Sequence, residues 1–180
     1  ATRDAITLCE AAGYGTAIVE TVGVGQSEIE TVDMVDLFLL LVLPTAGDDI
    51  QGIKRGIMEV ADAIVVTKAD LSEKATTQAV ALYASALRLL QPAKSQWSTP
   101  VVSVSAVNTS GIDELLHVVD RFFADERRDE VVRTRDTQQV LWFDELVRRR
   151  LSQRAYDHPL LRRRLTELRN KVAIGEVPVT

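Results

Sequence analysis

Lys68 and Asp70 stand at the end of an apolar run, Ala63 to Val66, and Ser105 and Ala106 stand at the end of another, Val101 to Val104. A carboxylate can accept from two adjacent N–H donors at once, while the methylene stem of a lysine lies across a flat ring. Guanine carries such a donor pair on its Watson–Crick edge and adenine does not, so a strand followed by K-x-D reads as a guanine reader. Backbone N–H groups of Ser105 and Ala106 can meet the guanine carbonyl. The tripeptide alone is common; its pairing with a Ser-Ala end on the next strand makes it moderately specific. The other role open to Asp70 is that of a carboxylate at a helix start.

A second constellation suits the phosphate end of a nucleotide. Glu20 closes the run AIVE and Gly23 follows three residues later. A strand-terminal carboxylate can hold Mg²⁺ directly or through water, and a glycine at that distance lets its backbone N–H approach a terminal phosphate. None of the five lysines, Lys54, Lys68, Lys74, Lys94 and Lys171, follows a glycine or precedes Ser or Thr in the phosphate-loop pattern. The phosphate cradle itself is therefore not expected in this stretch of chain.

The elements that would position these groups alternate. Apolar runs at 17–20, 37–43, 63–66 and 101–104 each open on a polar signature, and helical periodicity separates them. In a parallel sheet such signatures gather at the carboxyl ends of the strands. The run Leu37 to Leu43 is continuously apolar, as a central strand covered on both faces should be. Helices are expected over 2–12, 27–35 and 53–61. A long helix capped by Ser72 should turn Ala79, Leu82, Ala86 and Leu89 inward before Pro92, and a helix over 111–123 aligns Ile112, Leu115, Val119 and Phe122. This is the pattern of an α/β fold with a parallel sheet and flanking helices. The charged stretch 124–136 reads as a linker or an exposed helix extension. Beyond it Val140, Phe143, Val147 and Leu151 form one apolar face and Leu161, Leu165 and Leu168 another. These two helices need a surface, either their own sheet or a second copy of the chain.

Composition narrows the classes. With 46% hydrophobic residues over 180 positions, the chain can bury one core and carry a small appendage. No apolar run reaches the roughly 20 residues of a membrane span, and a net charge of −5 argues against general nucleic-acid binding. Cys9 is the one cysteine; it excludes an internal disulfide and is expected to be buried in its helix. His117 and His158 have no partner at metal-ligand spacing, so a protein-only zinc site is not expected. No leader is recognisable at the start, and a cytoplasmic location is expected, or the mitochondrial matrix in a eukaryote.

The segment ETVGVGQSEIETVDMVDLFLLLVLPTAGDDIQGIKRGIMEVADAIVVTKADL closely resembles the MeaB/ArgK/MMAA group of phosphate-loop GTPases, with ETVGVGQSE and GDDIQGIKRG as its most specific parts. The group chaperones adenosylcobalamin-dependent acyl-CoA mutases, chiefly methylmalonyl-CoA mutase, and in older naming consists of lysine/arginine/ornithine transport kinases. The resemblance implies a GTPase domain over 1–123 and a linker with a helical dimerisation extension over 124–180, dimerising through 136–174. It implies GTP/GDP and Mg²⁺ as cofactors and a mutase as partner, with neither nucleic acid nor membrane. Glu20 matches the glutamate that stands where most GTPases have aspartate and would hold Mg²⁺ through water. Gly23 matches the phosphate-sensing glycine, with Val24, Gly25 and Gln26 in the second switch. Asp48, Asp49, Gln51 and Lys54 fall in a further loop that relays nucleotide state to the mutase. Thr67, Lys68 and Asp70 match the guanine box, and Ser105, Ala106 and Val107 the last base-contacting box.

Two departures carry consequences. Thr67 replaces the usual asparagine of the guanine box, which removes an amide that braces the base pocket; a hydroxyl substitutes in part, so weaker guanine affinity is expected. The family's phosphate loop and Mg-binding first switch precede the matched stretch, so the chain reads as a carboxy-terminal portion of such a GTPase, inactive by itself. Val24, directly after Gly23, cannot orient a water as the glutamine of Ras-like enzymes does, which implies slow intrinsic hydrolysis that the mutase accelerates. A non-hydrolysing interaction module and an amino-acid transport kinase are the other readings.

Overall fold

In a computed structural model of the chain, residues 2–21, 31–44, 55–90 and 97–178 are described. They divide into two compact units, 1–132 and 133–180.

The first unit is built on three parallel strands, β1 (Leu39–Val42), β2 (Ala63–Val66) and β3 (Val101–Ser103), in the order β1-β2-β3. Leu39 pairs with Ala63 and Val42 with Val66, and Ile64 pairs with Val101 and Val66 with Ser103. Helix α1 (Thr2–Ala11) comes first in the chain. The crossovers carry α2 (Arg55–Glu59) and α3 (Glu73–Leu90), and α4 (Ile112–Phe122) follows β3. β2 is the middle strand, and all four of its residues are fully buried. Its alternation divides the core. Ile64 and Val66 pack with Phe38, Val42, Met58, Ala79, Tyr83 and Leu87 on one face, while Ala63 and Val65 pack with Val102, Val104 and Val118 on the other.

Local chemistry explains the boundaries. Ser72 caps α3, its hydroxyl accepting from the Ala75 N–H at 3.3 Å. Where β1 and β2 begin, Asp62 and Phe38 clasp each other. The Asp62 carboxylate accepts the Phe38 N–H at 2.8 Å, and the Asp62 N–H donates to the Phe38 carbonyl at 2.9 Å. The Asp62 carbonyl takes the Trp97 indole N–H at 2.8 Å. Trp97 meets Phe122 edge-on, and the Arg127 guanidinium lies over both rings, 4.5 and 4.3 Å from their centroids. Arg127 also pairs with Glu130 at 3.2 Å.

Burial pushes the Asp62 carboxyl up from its ordinary 3.8, opposed by the Phe38 N–H bond and the Arg127 charge and reinforced by Glu130. A raised acid pKa means that the folded state holds the proton more tightly. The contribution is therefore present in full below pH ~3.8 and is lost as pH rises through the folded value. Asp62→Asn keeps an acceptor for Phe38 and removes the charge. Relative to the parent, its urea midpoint should improve as pH rises from about 4 to 7; a difference independent of pH would show that the carboxylate is ionised without cost.

Several expectations need correction. Residues 17–20 form no strand, and Ile18 is 92% exposed. A strand needs a ladder partner, and the described sheet ends at β1. That end also makes β1 an edge, not a covered centre, with Leu41 62% exposed. In α3 the inward face centres on Thr76, Ala79, Tyr83 and Leu87, while Leu82 and Leu89 point outward, because the large Tyr83 ring fills the core position. Cys9 is helical but only half-buried, since α1 buries none of its residues. Of the two readings of 124–136, linker or exposed helix extension, the structure agrees with the second: a short 3₁₀ turn at Asp125–Arg127 leads into α5 (Arg128–Asp157). Of the expected helix over 27–35, residues 27–30 lie outside the described residues; Thr31 and Val32 are helical and the chain leaves the helix by Asp33.

The second unit holds the later turns of α5 and α6 (Pro159–Ala173), with Pro159 at the first position of its helix. Neither helix buries a residue, and Val140, Phe143, Leu151 and Leu160 stay largely exposed. Arg149–Glu145 and Arg163–Glu167 pair along the surface at 2.7 and 3.2 Å, contacts worth a few tenths of a kcal/mol each.

Candidate functional site

The carboxyl ends of β2 and β3 meet at a single group of side chains. β2 hands over to Thr67 and Lys68, then to a 3₁₀ turn, Ala69–Leu71, that carries Asp70. β3 hands over to Val104 and Ser105, then to an exposed loop through Gly111. The Ser105 hydroxyl donates to Asp70 Oδ1 and in turn accepts the Val107 N–H at 3.2 Å. Ser105 is fully buried, while Asp70 is exposed. One carboxylate oxygen is thus anchored from below, and the carboxylate retains acceptor capacity towards solvent.

The turn is held at further points. The Ala69 N–H donates to the Val104 carbonyl at 3.1 Å, and the Thr76 hydroxyl to the Ala69 carbonyl at 3.4 Å. Thr67 sends both its N–H and its hydroxyl to the Val42 carbonyl, at 2.8 and 3.1 Å. Between these ties Lys68 adopts the left-handed conformation, φ 56 and ψ 40. A non-glycine residue holds that conformation only where its surroundings impose it, and such residues cluster at functional sites.

The β3 loop is shaped by its own sequence. Asn108 Oδ1 accepts the Ser110 N–H at 3.1 Å, Thr109 is left-handed at φ 59, and the Ser105 N–H donates to the Ser110 carbonyl at 3.0 Å. Gly111 closes the loop at φ +73, directly above the Ser103 carbonyl. Ala106 and Val107 are presented at its crest, with Val107 84% exposed. Since the Val107 N–H is engaged by Ser105, a carbonyl ligand would be met by Ala106, and Val107 offers an apolar side chain.

The structure brings together Thr67, Lys68 and Asp70 with Ser105, Ala106 and Val107. Glu20 sits exposed in a segment without strand structure. Gly23, Gln26, Asp48, Asp49, Gln51 and Lys54 lie outside the described residues. Among the described residues no cluster of three His, Cys, Asp or Glu could hold a metal, and no helix is long and apolar enough to cross a membrane. Missed from sequence were the Val42 carbonyl and the loop 108–111; the run Asn-Thr-Ser-Gly is a turn signal that marks the latter.

A family model described as methylmalonyl Co-A mutase-associated GTPase MeaB matches residues 1–159. A probable GTPase of Mycobacterium tuberculosis is 40% identical over 98% of this chain and 53% of its own length. A mitochondrial methylmalonic aciduria type A homolog of Mus musculus is 39% identical over 97% of the chain and 42% of its own length. The GTPase ArgK of Escherichia coli is 49% identical over 67% of the chain and 37% of its own length. The chain thus spans about half the length, or less, of these relatives. Among solved structures, a LAO/AO transport system kinase superposes with a TM-score of 0.75 at 35% identity, over 97% of this chain and 57% of that one.

Proposed function

This chain belongs to the MeaB family of methylmalonyl-CoA mutase-associated GTPases, and from that premise we propose that it supplies the guanine-reading half of a GTPase that guards and gates cofactor loading of an adenosylcobalamin-dependent acyl-CoA mutase. The observation that supports this most is the Ser105–Asp70 bond, which aims an exposed carboxylate outward from the junction of β2 and β3. In this reading Asp70 accepts from the paired N–H donors of guanine, the Lys68 stem covers one face of the base, and the Ala106 N–H meets the base carbonyl while Val107 shields its rim. These groups bind and orient; they move no proton.

Glu20 is the residue that would hold Mg²⁺, through water. A single accessible carboxylate together with phosphate oxygens is a donor set that suits this ion. When bound, the ion neutralises charge on the phosphates during in-line attack by water. Gly23 and Gln26 are assigned to the phosphate side, and Asp48, Asp49, Gln51 and Lys54 to the relay towards the mutase. The exposed apolar faces of α5 and α6 support a homodimer through 136–174, with 1–123 as the GTPase domain and 124–180 as linker and extension. Cytoplasm, or the mitochondrial matrix in a eukaryote, is the proposed location.

The test is calorimetric titration of GTP and ATP, with Mg²⁺, into the full-length protein and into the 180-residue chain. Selective GTP binding by the full-length protein, followed by faster hydrolysis when mutase is added, is the expected result. Equal affinity for both nucleotides would remove the guanine reading. The same exposed faces favour a second reading, a non-hydrolysing interaction module, which predicts mutase binding without turnover.

A further inference from the structure

The base-reading turn 67–71 is tied on two sides, and the two sides are built differently. Towards β3 it has the Ala69 N–H bond to Val104 and the Asp70 bond to Ser105. Towards β1 the ties belong to Thr67 alone among the described residues, and both end on one atom, the carbonyl oxygen of Val42. Val42 is the last residue of β1 and is buried. Thr67 is β-branched and half-buried, so its side-chain torsion has few alternatives and the hydroxyl is held on that carbonyl. The residue that follows is Lys68, in its left-handed conformation. Such a backbone persists only when its flanks over-determine it, and the flanks are the Thr67 and Ala69 bonds.

We propose that Thr67 is a positioning residue that acts on the base through Val42: its hydroxyl braces the turn against the end of β1 and so fixes how sharply Asp70 distinguishes a purine with a 2-amino group from one without. The inference rests on the guanine reading of the strand ends. It differs from a direct contact, because a hydroxyl has one proton and this one is given to Val42. It differs also from a packing role. A Thr67→Val replacement keeps the shape of the side chain, and the Val42 carbonyl retains the Thr67 backbone donor, so no buried acceptor is orphaned.

The measurement is the affinity of the full-length protein for GTP and for inosine triphosphate, which lacks the 2-amino group, in the parent and in Thr67→Val and Thr67→Ser. Thr67→Val should weaken GTP about three- to tenfold, the size of one hydrogen bond, and inosine triphosphate by less, so that the preference narrows. Thr67→Ser keeps the hydroxyl and should restore the preference. A Thr67→Val protein with an unchanged GTP-to-inosine ratio would overturn the proposal, whatever its melting temperature. A parent that binds GTP no better than inosine triphosphate would instead overturn the guanine reading, and this inference with it.

Discussion

Asp70→Asn should lower the affinity for GTP about a hundredfold or more and raise the affinity for xanthosine triphosphate. The structure supplies the direction as well as the loss. Ser105, fully buried, donates its hydroxyl to Asp70 Oδ1. In the Asn variant the amide oxygen is the only atom that can accept from Ser105, so the amide NH₂ turns outward. There it faces the 2-amino group of guanine donor to donor, whereas the 2-carbonyl of xanthine accepts from it. Hydrogen bonds to a charged group are worth about 1.5–3 kcal/mol, and two are lost. Asp70 is exposed, so the fold should be kept, which a melting curve checks. If the variant binds GTP within threefold of the parent, Asp70 does not touch the base and its bond to Ser105 serves only to staple two loops together.

Why this site was readable, and what was not, follows from the ranges over which the forces act. The run Ala63 to Val66 with K-x-D behind it and the run Val101 to Val104 with Ser-Ala behind it are local patterns. A parallel sheet brings such strand ends together whatever else the chain does. Ser72 as a helix cap is equally local. The covered centre was not legible: the longer apolar run Leu37 to Leu43 read as the central strand, yet the four-residue β2 is the one buried on both faces and β1 stands at the edge of the described sheet. Tyr83 shows where local reading fails. Its hydroxyl marks it as amphipathic, yet its ring fills the core and turns α3 away from Leu82 and Leu89.

Residues 17–20 fail differently. Their composition suits a strand, but a strand exists only against a partner, and the described sheet ends at β1. The left-handed Lys68 was out of reach for a third reason. Nothing in the sequence T-K-A-D announces a positive φ; it results from the bonds of its neighbours, Thr67 to Val42 and Ala69 to Val104, both far along the chain. Propensity describes what a segment tolerates, and these tertiary bonds choose among the tolerated states.

Gly111→Ala should be the most destabilising substitution in the candidate site, by about 3 kcal/mol or more. Two costs coincide at this position. A left-handed alanine is unfavourable by roughly 1–2 kcal/mol. The added Cβ would also stand 1.9 Å from the Ser103 carbonyl oxygen, a backbone atom of β3 that has no rotamer into which to retreat. Overpacking of this kind adds typically 1–3 kcal/mol, and the total is a large share of the 5–15 kcal/mol that holds a domain together. Relief requires Ser110 and Gly111 to lift from β3, which pulls the Ser110 carbonyl from the Ser105 N–H and shifts Ala106 and Val107 relative to Asp70. Stability and base reading are therefore expected to fall together. Gly13→Ala is the matched control: Gly13 is also left-handed, at φ +87, but among the described residues nothing lies within 4 Å of its Cβ position. It bears the conformational cost alone and should shift the urea midpoint by the smaller amount. Equal shifts for the two variants would mean that the close approach to Ser103 contributes nothing, and that the β3 loop is not clamped by Gly111.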